Sequence, residues 1–191
     1  MAIAWQGSPK YAGDRQRSIP LHFFAPLADI PGVQLLSLQK GFGVDQLGPT
    51  ARHFVPVDLG RQIDEGGQAF VDSAAVIQLV DLVITSDTAL AHLAGAMGVP
   101  VWLVLHLAGD WRWLRDRDDS PWYPTMRLFR QQTSGDWQRV FDRVAGALRE
   151  RLQEEQAQSA PAEQHPAGAS HTPVLPVALV LPSAPSERRP E

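Results

Sequence analysis

The chain has 191 residues, 44% of them hydrophobic, and carries 17 Lys and Arg against 21 Asp and Glu for a formal charge of -4. That is enough apolar material for one domain with a real core, and no field that would attract nucleic acid or an anionic membrane surface. Cysteine is absent, which excludes disulfides, thiolate metal sites and thiol catalysis.

The apolar run at Met1 to Trp5 stops in a Gly- and Pro-containing stretch, far short of a signal sequence or the roughly 20 residues of a spanning helix. No transmembrane segment is expected, and the default location is cytoplasmic. In chain order, short apolar runs bounded by Gly, Pro or charge predict strands at Ile3–Trp5, Val33–Leu38, Phe54–Val57, Leu82–Thr85, Val101–Leu105 and Met126–Phe129. Helical patterns fall between them at about Leu21–Asp29, Gln68–Val80 and Thr88–Met97, and a last one at Trp137–Leu152 closes the ordered part. Alternating strand and helix, with strands apolar on both faces, predicts a doubly wound, Rossmann-like parallel sheet of the α/β class, whose ligands sit at the carboxyl ends of the strands. From Gln153 onward Ala, Pro, Gln, Ser and His dominate, so residues 1–152 are expected to form the domain and 153–191 a disordered Pro/Ala-rich tail. Its one apolar stretch, Val174–Leu181, has Pro173, Pro176 and Pro182 in and around it and reads as extended.

The most informative segment runs from Asp81 to Leu105. A strand ends at Thr85, Asp87 or Thr88 caps a helix, and Leu90, Leu93, Ala94 and Met97 follow at i, i+3, i+4, i+7. Gly98 and Pro100 stop that helix. Such a junction puts free backbone N–H groups and a positive helix end at the carboxyl edge of the sheet, where a diphosphate is bound without a basic surface. Thr88 and His92, four residues apart, share one helix face. Taken on spacing alone, Asp87 is equally a plain cap and His92 an ordinary hydrogen-bonded histidine.

Other groups suit the same edge. The loop from Gly7 to Ile19 holds Ser8, Lys10, Arg15 and Arg17, small residues and cations of the kind that clamp phosphate, although it is neither a Walker A loop nor a dinucleotide fingerprint. Gln39 and Lys40 end the second strand, in position for ribose or base. Trp111, Trp122 and Tyr123 offer flat faces for a sugar or an acceptor, whereas Trp102 and Trp113 read as packing. Asp116-Arg117-Asp118 has the look of a metal-binding pair but sits in a charged run, so no metal is assigned.

The stretch SDTALAHLAGAMGVPVWLVL resembles the donor-site motif of glycosyltransferase family 9, the heptosyltransferase-like group. The stretches WQGSPKYAGDRQRSIPL, VQLLSLQKG and DWRWLRDRDDSPWYPTMRLFRQ look like the branch of that family found in bacterial tetratricopeptide-repeat proteins. The resemblance covers roughly residues 3–148. It implies a single carboxy-terminal lobe of a two-lobed (GT-B-type) glycosyltransferase, which binds a nucleotide-diphosphate sugar as co-substrate and needs no metal or other cofactor for donor binding. By the same resemblance Asp87, Thr88, Ala89, Leu90 and His92 contact the diphosphate and nearby sugar, and Arg17 neutralises phosphate. Ala89 stands where heptosyltransferases have Gly, so the donor is not expected to be ADP-heptose. The acceptor, a protein or a glycan, and the catalytic base belong to a separate amino-terminal lobe. Two rival readings remain from the sequence: a noncatalytic sugar-nucleotide-binding or interaction module, as a truncated or degenerate fragment, and another sugar-nucleotide enzyme such as an epimerase.

Overall fold

The computed structural model describes residues 1–50, 54–67 and 69–159, of which Met1–Gln158 form one folded unit. Six strands make one sheet: β1 (Ala2–Ala4), β2 (Leu36–Ser37), β3 (Val57–Asp58), β4 (Val83–Ser86), β5 (Val101–Leu105) and β6 (Met126–Arg130). Every pairing is parallel and the order is β3-β2-β1-β4-β5-β6. This is the doubly wound, Rossmann-like architecture expected from the alternating pattern. Except at the edge, where Val57 of β3 is exposed, the strands are largely buried. Residues of period two divide between two apolar layers.

Ile3, Ile84, Trp102, Val104 and Phe129 point to one layer. There they meet a 3-10 turn at Leu21–Phe24 that runs into a short helix at Ala25–Ala28, and the long helix at Trp137–Ser159. Ala2, Ala4, Val83, Val101, Leu103, Leu105, Met126 and Leu128 point to the other, under the helices at Val71–Leu79 and Ala89–Ala96. Counting also one-turn helices at Asp14–Arg17 and Leu47–Thr50, the helices in chain order are α1 (Asp14–Arg17), α2 (Ala25–Ala28), α3 (Leu47–Thr50), α4 (Val71–Leu79), α5 (Ala89–Ala96) and α6 (Trp137–Ser159).

Local chemistry explains the ends of these elements. Beyond α5, Gly98 adopts φ +72°, its N–H donates to Gly95 and the Val99 N–H reaches back to Ala94 (3.1 Å each). This left-handed stop satisfies the last helix carbonyls and turns the chain into β5. The amino end of α4 is capped from outside, where the Asp64 carboxylate accepts the Asp72 and Ser73 N–H groups and the Ser73 hydroxyl.

Several boundaries differ from expectation, and the helix expected at Leu21–Asp29 is a 3-10 turn followed by the short α2. The strand pairing of β2 begins at Leu36 rather than Val33, because the Val33 N–H closes a turn on Ile30. Phe54 buries its ring in the core without joining β3. The last helix continues to Ser159, so residues 153–159, expected in the disordered tail, are helical. Polar residues there favour helix as well as solvent: Arg151 pairs with Glu155 one turn on (2.8 Å) and also donates to the Asp81 carbonyl (3.1 Å). Gln68, the Val174–Leu181 stretch and the rest of the expected tail from residue 160 lie outside the described residues. Among the described residues no helix is long and apolar enough to cross a membrane.

Candidate functional site

β1 and β4 lie side by side at the centre of the sheet, and the chain leaves their carboxyl ends toward opposite faces. That divergence is the switch point at which doubly wound sheets open a crevice. Two residues define it here, Arg17 from the β1 side and Thr88 from the β4 side.

The Arg17 guanidinium is fixed from three directions. Its Nε donates to Asp14 Oδ1 at 2.9 Å, its Nη1 donates to the Asp87 carbonyl at 2.7 Å, and its carbon lies 4.6 Å from the centre of the Tyr11 ring. Asp14 is only 3% exposed and also accepts the Ser18 hydroxyl at 3.0 Å. The Ser18 oxygen in turn accepts the Gly7 N–H at 3.3 Å. One helical turn therefore forms because its side chains staple it, at spacings of three and four residues. A side chain at Gly7 would crowd this staple: a Cβ there would stand 2.3 Å from Arg17 Nη2 and 2.4 Å from Asp14 Oδ1, so those side chains would have to shift.

On the other side Thr88 is the N-cap of α5, extended at φ -136° and ψ 172°, and its hydroxyl makes no capping hydrogen bond. Among the described residues the first-turn N–H groups of α5 thus have no side-chain partner, the Ala91 N–H being taken by the Thr88 carbonyl at 3.0 Å, and the positive end of the helix faces the crevice. Ala89 is exposed at this end. Leu90 differs from expectation in one respect: its side chain is buried in the core beneath α5, which leaves only its backbone N–H to address a ligand.

Two clefts meet here. The larger, about 1210 Å³, runs from Arg15, Arg17 and Asp87 past His92 to His106, Asp110, Trp111 and Gln131. The smaller, about 520 Å³, lies over the ends of β1 and β2 between Gly7, Ser8, Gln39, Lys40, Asp64 and Phe70. Arg17, Thr88 and Ala89 line both.

His106, which pattern reading of the sequence missed, follows β5 directly and faces this larger cleft. Burial pushes its imidazole below the ordinary value; the Asp87 carboxylate works against this, and the Arg130 and Arg17 cations work with it. As pH falls, the unfolded imidazole takes up a proton before the folded one does. The stability contributed by neutral His106 is thus complete above the unfolded value, about 6.5, and is lost as pH falls toward the folded value. His106→Gln is expected to flatten the stability profile below about pH 6.5 in urea denaturation; an unchanged profile would mean that the imidazole is solvated.

The loop after β5 is organised by Asp110, which accepts the Arg112 backbone N–H at 3.0 Å and its guanidinium at 2.8 Å. Burial opposes ionisation of Asp110, but these two hydrogen bonds and the charges of Arg112 and His92 hold its carboxyl below the usual range. Trp102 and Trp113 are buried packing residues, as expected. Trp111 and Trp122 are 68% and 58% exposed, and Trp122 Nε1 donates to the Arg112 carbonyl at 2.9 Å. With His92, Arg112 and Tyr123 they outline a further hollow of about 270 Å³.

Other expected residues are placed less directly. Gln39 is 3% exposed and spends its amide on the strand end: Oε1 accepts the Trp5 and Gln6 N–H groups (2.9 and 3.0 Å), and Nε2 donates to the Gln6 and Phe42 carbonyls (2.9 and 2.7 Å). It shapes the wall of the smaller cleft with no group left over. Lys40 donates to the Ile63 carbonyl. Lys10 is exposed and lines neither cleft. Of the charged run at 116–118, Arg117 turns away to fork with Asp119 (2.6 Å for each of two bonds).

No protein-family model matches the chain. Protein FlbA of Caulobacter vibrioides is 33% identical over 159 residues, which takes in 78% of this chain. The chain spans 25% of that relative's length. Among solved structures, E. coli heptosyltransferase WaaC with ADP is similar over 80% of this chain and 43% of its own, with a TM-score of 0.47 and 16% identity.

Proposed function

We propose that this domain binds a nucleoside-diphosphate sugar and serves as the donor-binding lobe of a glycosyltransferase. The observation that carries the reading is the meeting of two clefts at one anion-binding point, formed by the Arg17 guanidinium and the uncapped first turn of α5. A ligand with a charged centre and two unlike ends suits such a site: the diphosphate at Arg17, Thr88 and Ala89, with the nucleoside in the smaller cleft near Ser8 and Lys40. The glycosyl group then occupies the larger cleft, toward Asp87, His92 and the loop at Asp110 and Trp111. The donor-site resemblance of the 86–105 segment points the same way.

The chemistry expected of the site is stabilisation of negative charge. As the glycosyl bond breaks, charge grows on the departing diphosphate, and fixed donors already aimed there lower the barrier without reorganising. Arg17, the α5 N–H groups and the Thr88 hydroxyl supply those donors. The acceptor and the base that deprotonates it are assigned to a partner lobe outside this domain, so the domain alone is expected to bind donor better than it turns it over.

Calorimetric titration with UDP, ADP, GDP and their sugar conjugates tests this. Binding in the micromolar range by one nucleotide series, about -8 kcal/mol, is the expected result. Failure of every series to bind would overturn the assignment.

A further inference from the structure

His92 lies on α5 with its ring against Trp113, centroids 5.2 Å apart and planes 24° from parallel. Its Nδ1 is 3.0 Å from the Tyr123 hydroxyl, 31 residues later in the chain. Tyr123 reaches this point by crossing α5 at Gly95, where a Cβ would stand 2.6 Å from the ring. The imidazole is therefore clamped on one face and bonded at one nitrogen, while no hydrogen bond engages Nε2 among the described residues. His92 lines both the larger cleft and the hollow at Trp111 and Trp122.

We propose that Tyr123 is a positioning residue that sets His92 in its Nε2–H tautomer, so that the cleft is offered a hydrogen-bond donor. A phenol O–H is a stronger donor than a neutral imidazole N–H, and an imidazole nitrogen a stronger acceptor than a phenol oxygen. The bond therefore runs from Tyr123 to Nδ1, and the proton is placed on the opposite nitrogen. The other charged groups around the imidazole are Asp110, whose carboxylate feels the His92 charge, and its partner Arg112. Neither bonds the ring, so the Tyr123 hydroxyl is its one hydrogen-bond partner among the described residues. An Nε2–H aimed into the cleft suits a phosphate or sugar oxygen and rejects a donor at that position. In its ligand, though not in its tautomer, this inference rests on the donor-binding function.

The tautomer is read from the ring-nitrogen shifts of the ¹⁵N-histidine-labelled, unliganded full chain, at a pH above which the signals no longer move. His92 is assigned by the signal lost in His92→Gln. In the wild type, Nε2 is expected at the pyrrole-like shift and Nδ1 at the pyridine-like shift. Tyr123→Phe, which keeps the ring packing over Gly95, is expected to bring the two shifts toward each other with little change in Tm. Gly95→Ala, which displaces the Tyr123 ring, is expected to do the same. Where a nucleotide binds, its affinity is expected to fall about tenfold in Tyr123→Phe, the loss of one well-placed hydrogen bond. A wild type in the Nδ1–H form, or shifts unchanged in Tyr123→Phe, would overturn the inference. Absence of nucleotide binding with the expected shifts would sink the donor-binding function and leave the tautomer assignment standing.

Discussion

Arg17→Ala is expected to weaken binding of the nucleoside diphosphate by roughly 30- to 100-fold, the worth of a charge-assisted hydrogen bond of about 2 to 3 kcal/mol to an anion. The guanidinium is held by Asp14, the Asp87 carbonyl and the Tyr11 ring, so little freedom is lost when a phosphate arrives. The same substitution strips Asp14 of its counter-ion. Because Asp14 is almost wholly buried, with Ser18 as its remaining side-chain partner, stability should fall as well. Two further variants separate the effects. Arg17→Lys keeps the charge and loses the fork, and is expected to recover part of the affinity and of the stability. Gly7→Ala removes no polar group but puts a methyl where the guanidinium and Asp14 Oδ1 lie, so affinity should drop without loss of charge. Titration and thermal melts on the three variants decide the matter. Affinity unchanged in Arg17→Ala while Tm falls would make Arg17 a purely structural cation.

The strands were legible because a parallel sheet covered on both faces demands continuous apolar runs, and such runs stand out against Gly, Pro and charge; the exposed edge strand β3 was the least so, sharing only Val57 with the run expected for it. The strand ends were less so. Whether Val33 pairs with a neighbouring strand or closes a turn on Ile30 depends on a backbone bond that leaves no side-chain trace. α1 escaped notice for a related reason: four residues cannot hold a helix by propensity, and this turn exists through the Asp14, Arg17 and Ser18 staple, which the string DRQRS does not announce. The α5 junction was legible to within a residue: the sequence leaves the cap open between Asp87 and Thr88, the structure puts it at Thr88 without a side-chain capping bond, and Gly98 is the stop. Within the site, residue type was a weaker guide. Gln39 sits at a strand end where a polar group suits a ligand, yet its amide answers five backbone groups of its own chain. Leu90 lies inside the motif and turns to the core. His106 is a lone histidine after an apolar strand, without period or motif, and only the fold brings it to the cleft facing Asp87.

Phe141→Ala is expected to produce the largest loss of stability, about 3 to 5 kcal/mol out of a total on the order of 5 to 15. Along α6 the residues Trp137, Val140, Phe141, Val144 and Leu148 recur at three- and four-residue steps and are all buried. This stripe is the one that predicted the helix from sequence. Phe141, fully buried, meets Phe24 with ring centres 4.6 Å apart and Phe23 at 6.1 Å, so a single ring joins α6 to the turn that enters α2. Truncation leaves a cavity between two helices and the sheet, which they cannot both follow inward. At about 2 to 4 °C per kcal/mol for a domain of this size, Tm should fall by roughly 10 °C, whereas Phe141→Leu should lose less than half as much. The effect reaches the site through the chain itself: Ser134, Gly135 and Trp137, at the start of α6, form a wall of the larger cleft. Loosened docking of α6 should therefore weaken glycosyl contacts while sparing the diphosphate at Arg17 and Thr88. At a temperature where the variant remains folded, the affinity for a sugar nucleotide is expected to fall further than that for the bare nucleoside diphosphate. Equal losses for both ligands would place the sugar away from α6.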